Sequence, residues 1–153
     1  MLTGYRTCKT VAIGNDLAGS DRQPYLQNLP FKIELSKWGK VKMSPASNLH
    51  GQRQVEISSE LRKKRGGIVI AECSIQTDDG VRVADVAWIS NALYAQFGTQ
   101  TPYPQAPEVC VEIMSPSNTW AEMHMKAGLY LKAGAKEVWI DPLNGKRTVI
   151  KPP

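Results

Sequence analysis

Three acidic residues stand where strand patterning calls for apolar ones. Asp85 lies in Val83-Ala84-Asp85-Val86-Ala87-Trp88, Glu112 in Val109-Cys110-Val111-Glu112-Ile113-Met114, and Glu72 in Ile70-Ala71-Glu72-Cys73. A buried carboxylate without a partner is strongly destabilising. Each acid therefore either points to solvent from a half-exposed strand or meets a cation, hydrogen-bond donors or a metal. Three acids on neighbouring strands favour the second outcome, because clustered like charges repel unless something positive lies among them. The chain has 2 His and 3 Cys, none in metal-ligand spacing, so a zinc site of Cys and His is nearly excluded. Hard oxygen ligation points instead to Mg2+ or Mn2+. Two carboxylates and the backbone carbonyl of Ile113 make three oxygens and leave positions for water and substrate. An ion there lowers the pKa of bound water and neutralises charge on a phosphoryl group. Lys126 follows Glu112 on the next helix, where a lysine can orient the attacking water or stabilise the pentavalent phosphate. The plainer alternative is a surface helix pair with Glu122, four residues earlier.

The elements that must position these residues can be read from periodicity and turn chemistry. Phe31, Ile33 and Leu35 alternate, Trp38-Gly39-Lys40 supplies a turn, and Val41 and Met43 follow, which predicts a hairpin. Ser44-Pro45-Ala46-Ser47-Asn48 ends in helix-capping residues, and a helix is expected from Leu49 to Lys64, with Leu49, Val55 and Leu61 as its apolar positions. Gly66-Gly67 stops it. A strand opens at Ile68, turns at Thr77-Asp78-Asp79-Gly80 and returns from Val81 to Ser90. A long loop spans 91–107 with a short helical turn near Leu93-Tyr94, then come a buried strand from Val109 to Met114 and a helix over 120–133 closed by Gly134. Ser115-Pro116-Ser117 reads as the cap of that helix. Strands at Glu137–Ile140 and Arg147–Ile150 complete the order ββ-α-β-β-β-α-β-β: an α/β (α+β) domain with a mixed central sheet flanked by helices. Residues 1–28 carry turn-formers and read as an irregular lead-in to a single domain over 29–153.

Other residues divide between structural and chemical readings. His50 at the helix start is either a hydrogen-bond partner or a group that titrates in the chemistry. Tyr130 reads as a core or supporting residue. Trp88 and Trp139 read as packing residues. Arg62-Lys63-Lys64-Arg65 is either a solvated helix end or a contact to phosphate.

Composition bounds the answer without choosing it. In 153 residues, 42% apolar and 22% charged describes an ordinary globular domain and excludes a disordered tail, a collagen-like repeat and a coiled coil. No apolar run is long enough for a membrane span and no signal-like run follows the N-terminus, so a cytoplasmic protein is expected. Cys73 and Cys110 read as buried free thiols. The net charge of +5 allows an anionic partner without demanding one, and four of those charges fall in residues 1–50.

The ordered set of motifs resembles a known family. It runs through Val83-Ala84-Asp85-Val86-Ala87-Trp88-Ile89-Ser90, Pro107-Glu108-Val109-Cys110-Val111-Glu112-Ile113-Met114-Ser115-Pro116-Ser117, Lys126 with Tyr130, Ala133-Gly134 and Glu137-Val138-Trp139-Ile140-Asp141-Pro142. Upstream, Glu34, Gly39, Met43-Ser44-Pro45, His50-Gly51, Leu61, Gly67, Glu72 and Asp79-Gly80 fit the same pattern. Together, over about residues 29–150, they resemble the Uma family of restriction-endonuclease-like proteins in the PD-(D/E)XK nuclease superfamily. The resemblance implies a nuclease core in which Asp85 is the first metal-binding acid and Glu112 the second. The superfamily lysine normally lies two residues after the second acid, where this chain has Met114; in this family the following helix supplies it, which makes Lys126 the candidate. Glu72 and His50 are implied as supporting residues, and Glu34 matches without an assigned role. Ala84 stands where the family usually has Pro, and the chain ends soon after the last core strand, where many relatives continue with further strands. The activity so implied is a Mg2+- or Mn2+-dependent endonuclease hydrolysing DNA, with a homodimer expected by analogy. The competing reading is a DNA-binding or partner-binding protein that kept the fold and lost the activity.

Overall fold

The computed structural model of the protein describes residues 32–44 and 46–153; the expected lead-in over 1–28 lies outside the described residues. The elements are β1 (Lys32–Leu35), β2 (Val41–Ser44), α1 (Asn48–Arg65), β3 (Ile68–Thr77), β4 (Gly80–Ile89), α2 (Asn91–Phe97), β5 (Val109–Met114), α3 (Trp120–Lys132), β6 (Glu137–Pro142) and β7 (Thr148–Ile150). Among the described residues these strands form one mixed sheet in the order β2-β1-β4-β5-β6-β7, with β3 paired to β4. The β5–β6 pair is parallel and is joined by the α3 crossover, as an α/β unit requires. The expected α/β architecture with helices on a mixed sheet is what is observed. The one added element is α2, a full helix where only a helical turn was read.

The sheet forks at β4. Along one edge β3 pairs with it from Thr77↔Gly80 to Ile68↔Ile89. The other edge is shared: β1 docks at Leu35↔Val81, and β5 at Val86↔Val111 through Trp88↔Val109. Between those two contacts lies a stretch of β4 that neither neighbour pairs with, and Asp85 is on it. Gly80 makes the docking of β1 possible. Its φ is +83°, and a Cβ there would fall 2.1 Å from the Leu35 carbonyl oxygen, so any side chain would push β1 off the sheet.

A helix covers each face. On one, Ile57 and Leu61 of α1 pack on Val86, Val109, Val111, Ile113 and Trp139. On the other, Ala127 and Tyr130 of α3 join Cys73, Ile75, Ala84, Ala87, Ile89, Cys110 and Val138. Cys73 and Cys110 are buried free thiols, as expected. Burial pushes the Cys73 thiol up to about 12, so it packs as a small hydrophobe. Two expectations for the helices are corrected. Leu49 and Val55 are 55% and 67% exposed, while Ile57 is 1% exposed. The inward-facing stripe of α1 runs through His50 and Gln54, both half-buried, and the buried Ile57 and Leu61 at helical spacing, so Leu49 and Val55 fall off it. The cap of α3 is Thr119, not the Ser115–Ser117 run. The Thr119 side chain accepts from the Glu122 N–H and the Glu122 carboxylate accepts from the Thr119 N–H, a complete capping box. Ser115 instead binds the Asn118 side chain.

Strand alternation breaks at the fork in both β3 and β4. Facing α3, the apolar positions of β3 are Ile68 and Ile70, then Cys73 and Ile75; those of β4 are Ala84, then Ala87 and Ile89. The parity changes at Glu72 and Asp85, which lie opposite each other. Glu72 has φ +53°, a left-handed conformation that a non-glycine residue adopts at a cost of about 1–2 kcal/mol. A period-two strand presents the same face throughout. The break re-aims side chains at the point where the acids stand.

Candidate active site

Five elements converge on the fork. Asp85 comes from β4, Glu112 and the Ile113 amide from β5, Lys32 and Glu34 from β1, His50 and Gln54 from α1, and Lys126 and Tyr130 from α3. The three acids Glu34, Asp85 and Glu112 are 7%, 2% and 2% exposed. None of these points to solvent, whereas Glu72, the third acid read from the strand patterns, is exposed on β3, which corrects the expectation of a buried position for it. Their charges are met by an alternating chain of cations. The Lys32 ammonium lies 2.8 Å from Asp85 Oδ1 and 3.3 Å from Glu112 Oε2. Lys126 donates to Glu112 Oε2 at 2.9 Å and lies 2.7 Å from Glu34 Oε1. His50 Nε2 lies 3.3 Å from Asp85 Oδ2.

The fork explains how strand residues can be acidic. Where β4 and β5 part from their neighbours, backbone N–H groups lose ladder partners and carboxylates take their place. The Ile113 N–H donates to Asp85 Oδ2 at 2.7 Å, and the Val83 N–H donates to Glu34 Oε1 at 3.2 Å. Tyr130, fully buried, donates its hydroxyl to Glu112 Oε1 at 2.7 Å. Gln54 fills the gap in the β3–β4 ladder, donating to the Asp85 carbonyl at 2.8 Å and to the Glu72 carboxylate. Burial opposes ionisation of Asp85, but Lys32, His50 and the Ile113 amide outweigh it and hold the carboxyl well below the usual carboxylate range. Glu34 is lowered in the same way, burial being outweighed by Lys126 and Lys32. Burial likewise opposes the charge on Lys32, and the carboxylates of Glu112, Asp85 and Glu34 raise it above the ordinary lysine value. The hydrogen bond to Asp85 raises His50. Asp85, Glu34 and Lys32 are thus ionised groups held in fixed positions.

The expected site residues thus divide. Asp85, Glu112, Lys126, His50, Glu34 and Tyr130 are brought together, and Glu72 stands beside them through Gln54. Lys126 is turned inward to Glu112 and Glu34, while Glu122 belongs to the helix cap, so the surface pairing of these two is corrected. It is the Ile113 N–H that reaches Asp85. The basic run Arg62-Lys63-Lys64-Arg65 is not brought to the site. It forms the last turn of α1, twelve residues or about 18 Å along the helix from His50. There Lys64 pairs with Glu60, and Arg65 pairs with Glu137 and stacks on Trp88 and Trp139. Two residues were missed. Lys32 precedes Glu34 by two positions and so shares its strand face, and Gln54 follows His50 by four and so shares its helix face; those spacings were the available signals.

The donor set suits a hard divalent cation. Asp85 Oδ1 and Glu112 Oε2 already share one cation, the Lys32 ammonium, which marks the position between them as one where positive charge is stabilised. Among the described residues no group of three or more His, Cys, Asp or Glu side chains is placed to hold a metal ion. An ion held here would have two carboxylate ligands and would draw the rest from backbone, water or substrate, as Mg2+ commonly does.

Residues 21–153 match the family model of Uma2, described as "Putative restriction endonuclease", and the chain belongs to that family. The match begins earlier than the motif resemblance at about residue 29. A solved structure described as a putative nuclease of the DUF820 group from Anabaena variabilis is similar in fold, with a TM-score of 0.62 at 18% identity over 90% of this chain and 84% of that one. No curated protein matches. Among the described residues no helix is long and apolar enough to cross a membrane.

Proposed function

We propose that the protein is a Mg2+- or Mn2+-dependent endonuclease that hydrolyses phosphodiester bonds in DNA. The observation that supports this reading is the convergence of Asp85 and Glu112 on one cation position with Lys126 2.9 Å from Glu112. Asp85 and Glu112 would hold the divalent ion, with the Ile113 carbonyl as a third oxygen. The ion would supply activation of water and neutralisation of charge on the phosphoryl oxygens. The chain's own residues do the rest. Lys126 presents an ammonium group to the attacking water or to the phosphate in the transition state. Tyr130 fixes the Glu112 carboxylate by its second oxygen. His50 and the Ile113 amide fix Asp85, so that its free oxygen faces the shared cation position. Gln54 and Glu72 hold the kink in β3 and β4 that aims Asp85.

The test is nicking of supercoiled plasmid with millimolar Mg2+ or Mn2+, comparing wild type with Asp85→Ala. Nicking by the wild type alone is expected. Equal nicking by both proteins overturns the reading, and retention of DNA by the wild type without any nicking replaces it with a binding role on the same fold.

A further inference from the structure

Lys32 is the one cation of the cluster that the proposed chemistry does not use, and it occupies the position that chemistry requires. Its ammonium bridges Asp85 Oδ1 and Glu112 Oε2, at 2.8 and 3.3 Å. We infer that Lys32 is a tethered counterion that closes the Asp85–Glu112 position to divalent cations, and that an entering ion exchanges with it. The inference rests on the divalent-ion reading of this site.

Charge balance carries the first part. Glu34, Asp85 and Glu112 face Lys32 and Lys126: three carboxylates against two ammonium groups, all nearly closed to water. A divalent ion added with Lys32 in place leaves the pocket with excess positive charge and sets two cations on the same oxygens. The same ion with Lys32 withdrawn leaves the pocket one positive charge lower. Repulsion between cations a few ångströms apart in a site largely shielded from water is large, so the two occupants exclude each other.

Attachment carries the second part. β1 has four residues, and its register with β4 is the single pair Leu35↔Val81, at the end of the strand away from Lys32. Glu34 is anchored independently, by the Val83 N–H and by Lys126. Lys32 reaches β4 and β5 through its ammonium, and its side chain is 12% exposed, against 10% for Lys126. A lysine stem can withdraw by rotation of its own side-chain bonds while Glu34 stays.

The experiment is calorimetric titration of the full chain with Mn2+ at fixed ionic strength, for wild type, Lys32→Met and Lys32→Arg. Removing a competitor that occupies the site most of the time raises apparent affinity by the reciprocal of the free fraction, so Lys32→Met is expected to bind Mn2+ about tenfold or more tightly. Lys32→Arg keeps the charge and is expected to bind no tighter than wild type. Affinity in Lys32→Met equal to or below that of wild type overturns the inference. A second measurement needs no variant: acetylation of the Lys32 amine by a soluble reagent, read by mass spectrometry, is expected to rise on Mn2+ saturation while Lys126 stays protected. Unchanged Lys32 labelling in the saturated protein also overturns it. If the wild type binds Mn2+ and nicks DNA but these results fail, only the exchange falls. If it neither binds Mn2+ nor nicks DNA, the divalent-ion reading falls and takes the exchange with it.

Discussion

Tyr130 carries no charge and touches no presumed substrate, yet it holds the Glu112 carboxylate in place. Its hydroxyl donates to Glu112 Oε1 at 2.7 Å from a fully buried ring, leaving Oε2 to face Lys126 and Lys32. A hydrogen bond to a buried carboxylate is worth more than a neutral one, because its loss strands the charged acceptor. Tyr130→Phe keeps the ring packing and removes only that donor. It is expected to lower stability by about 2 kcal/mol, read as a lower urea midpoint with an unchanged slope. A midpoint within error of wild type would mean that Glu112 finds another donor. At this scale the acids were legible because a carboxylate inside Val-Cys-Val-Glu-Ile-Met contradicts its own pattern. Apart from sharing a strand face with Glu34, Lys32 gave no sign of its role, because a lysine alternating with apolar residues in a short hairpin is what a solvent-facing strand looks like. Its partners lie 53 and 80 residues away, at a distance only the fork closes.

Among the elements, α1 shows most clearly how local pattern and site function compete. Its boundaries follow from Ser47 as N-cap and Gly66 at the C-terminus, and both signals stand in the sequence. Its inward face does not. The stripe through His50, Gln54, Ile57 and Leu61 is half polar, because its upper turns serve the acids and only its lower turns serve the core. The outer face carries Leu49 and Val55, so apolarity alone selects the wrong positions. Substitution separates the two faces. Ile57→Ala removes a side chain 1% exposed and is expected to cost about 3 kcal/mol by denaturant unfolding. Val55→Ala, 67% exposed, is expected to stay within about 0.5 kcal/mol of wild type. The break in alternation at Glu72 and Asp85 was hidden for a related reason: both strands shift parity at the same pair, so the register sums remain those of a regular hairpin.

At the scale of the molecule, the described residues hold two charge networks that tie several elements together. The fork holds the first. The second joins the C-terminal strands to α1: Arg147 donates to Glu60 at 3.1 and 2.9 Å and to Asp141 Oδ2 at 3.1 Å, and Arg53 donates to both Asp141 oxygens at 2.9 and 3.0 Å. Arg147 also stacks on Trp139, 4.4 Å from the ring centroid. β7 has three residues, and its register with β6 covers three pairs, so this network is its main tie to α1. The net charge of +5 therefore says little about chemistry, since many of the basic residues are spent internally. The pH dependence of this tie has a definite sign. Hydrogen bonds from Arg147, then from Lys64, lower the Glu60 carboxyl from 4.5 to about 2 in the folded protein. As pH falls, the unfolded chain takes up that proton first. The stabilisation from Glu60 is therefore complete above the unfolded value of 4.5 and is lost as pH falls toward about 2. Glu60→Gln removes the titrating group and keeps the shape. The stability advantage of wild type over Glu60→Gln, measured by urea unfolding, is expected to be constant from neutral pH to just above 4.5, to shrink as pH falls below it, and to reach its floor near 2. Because Glu60 and Arg147 are 29% and 20% exposed, salt is expected to reduce the advantage at every pH without moving the window. An advantage that stays constant across that window would show that Arg147 holds β7 to α1 through Asp141 alone.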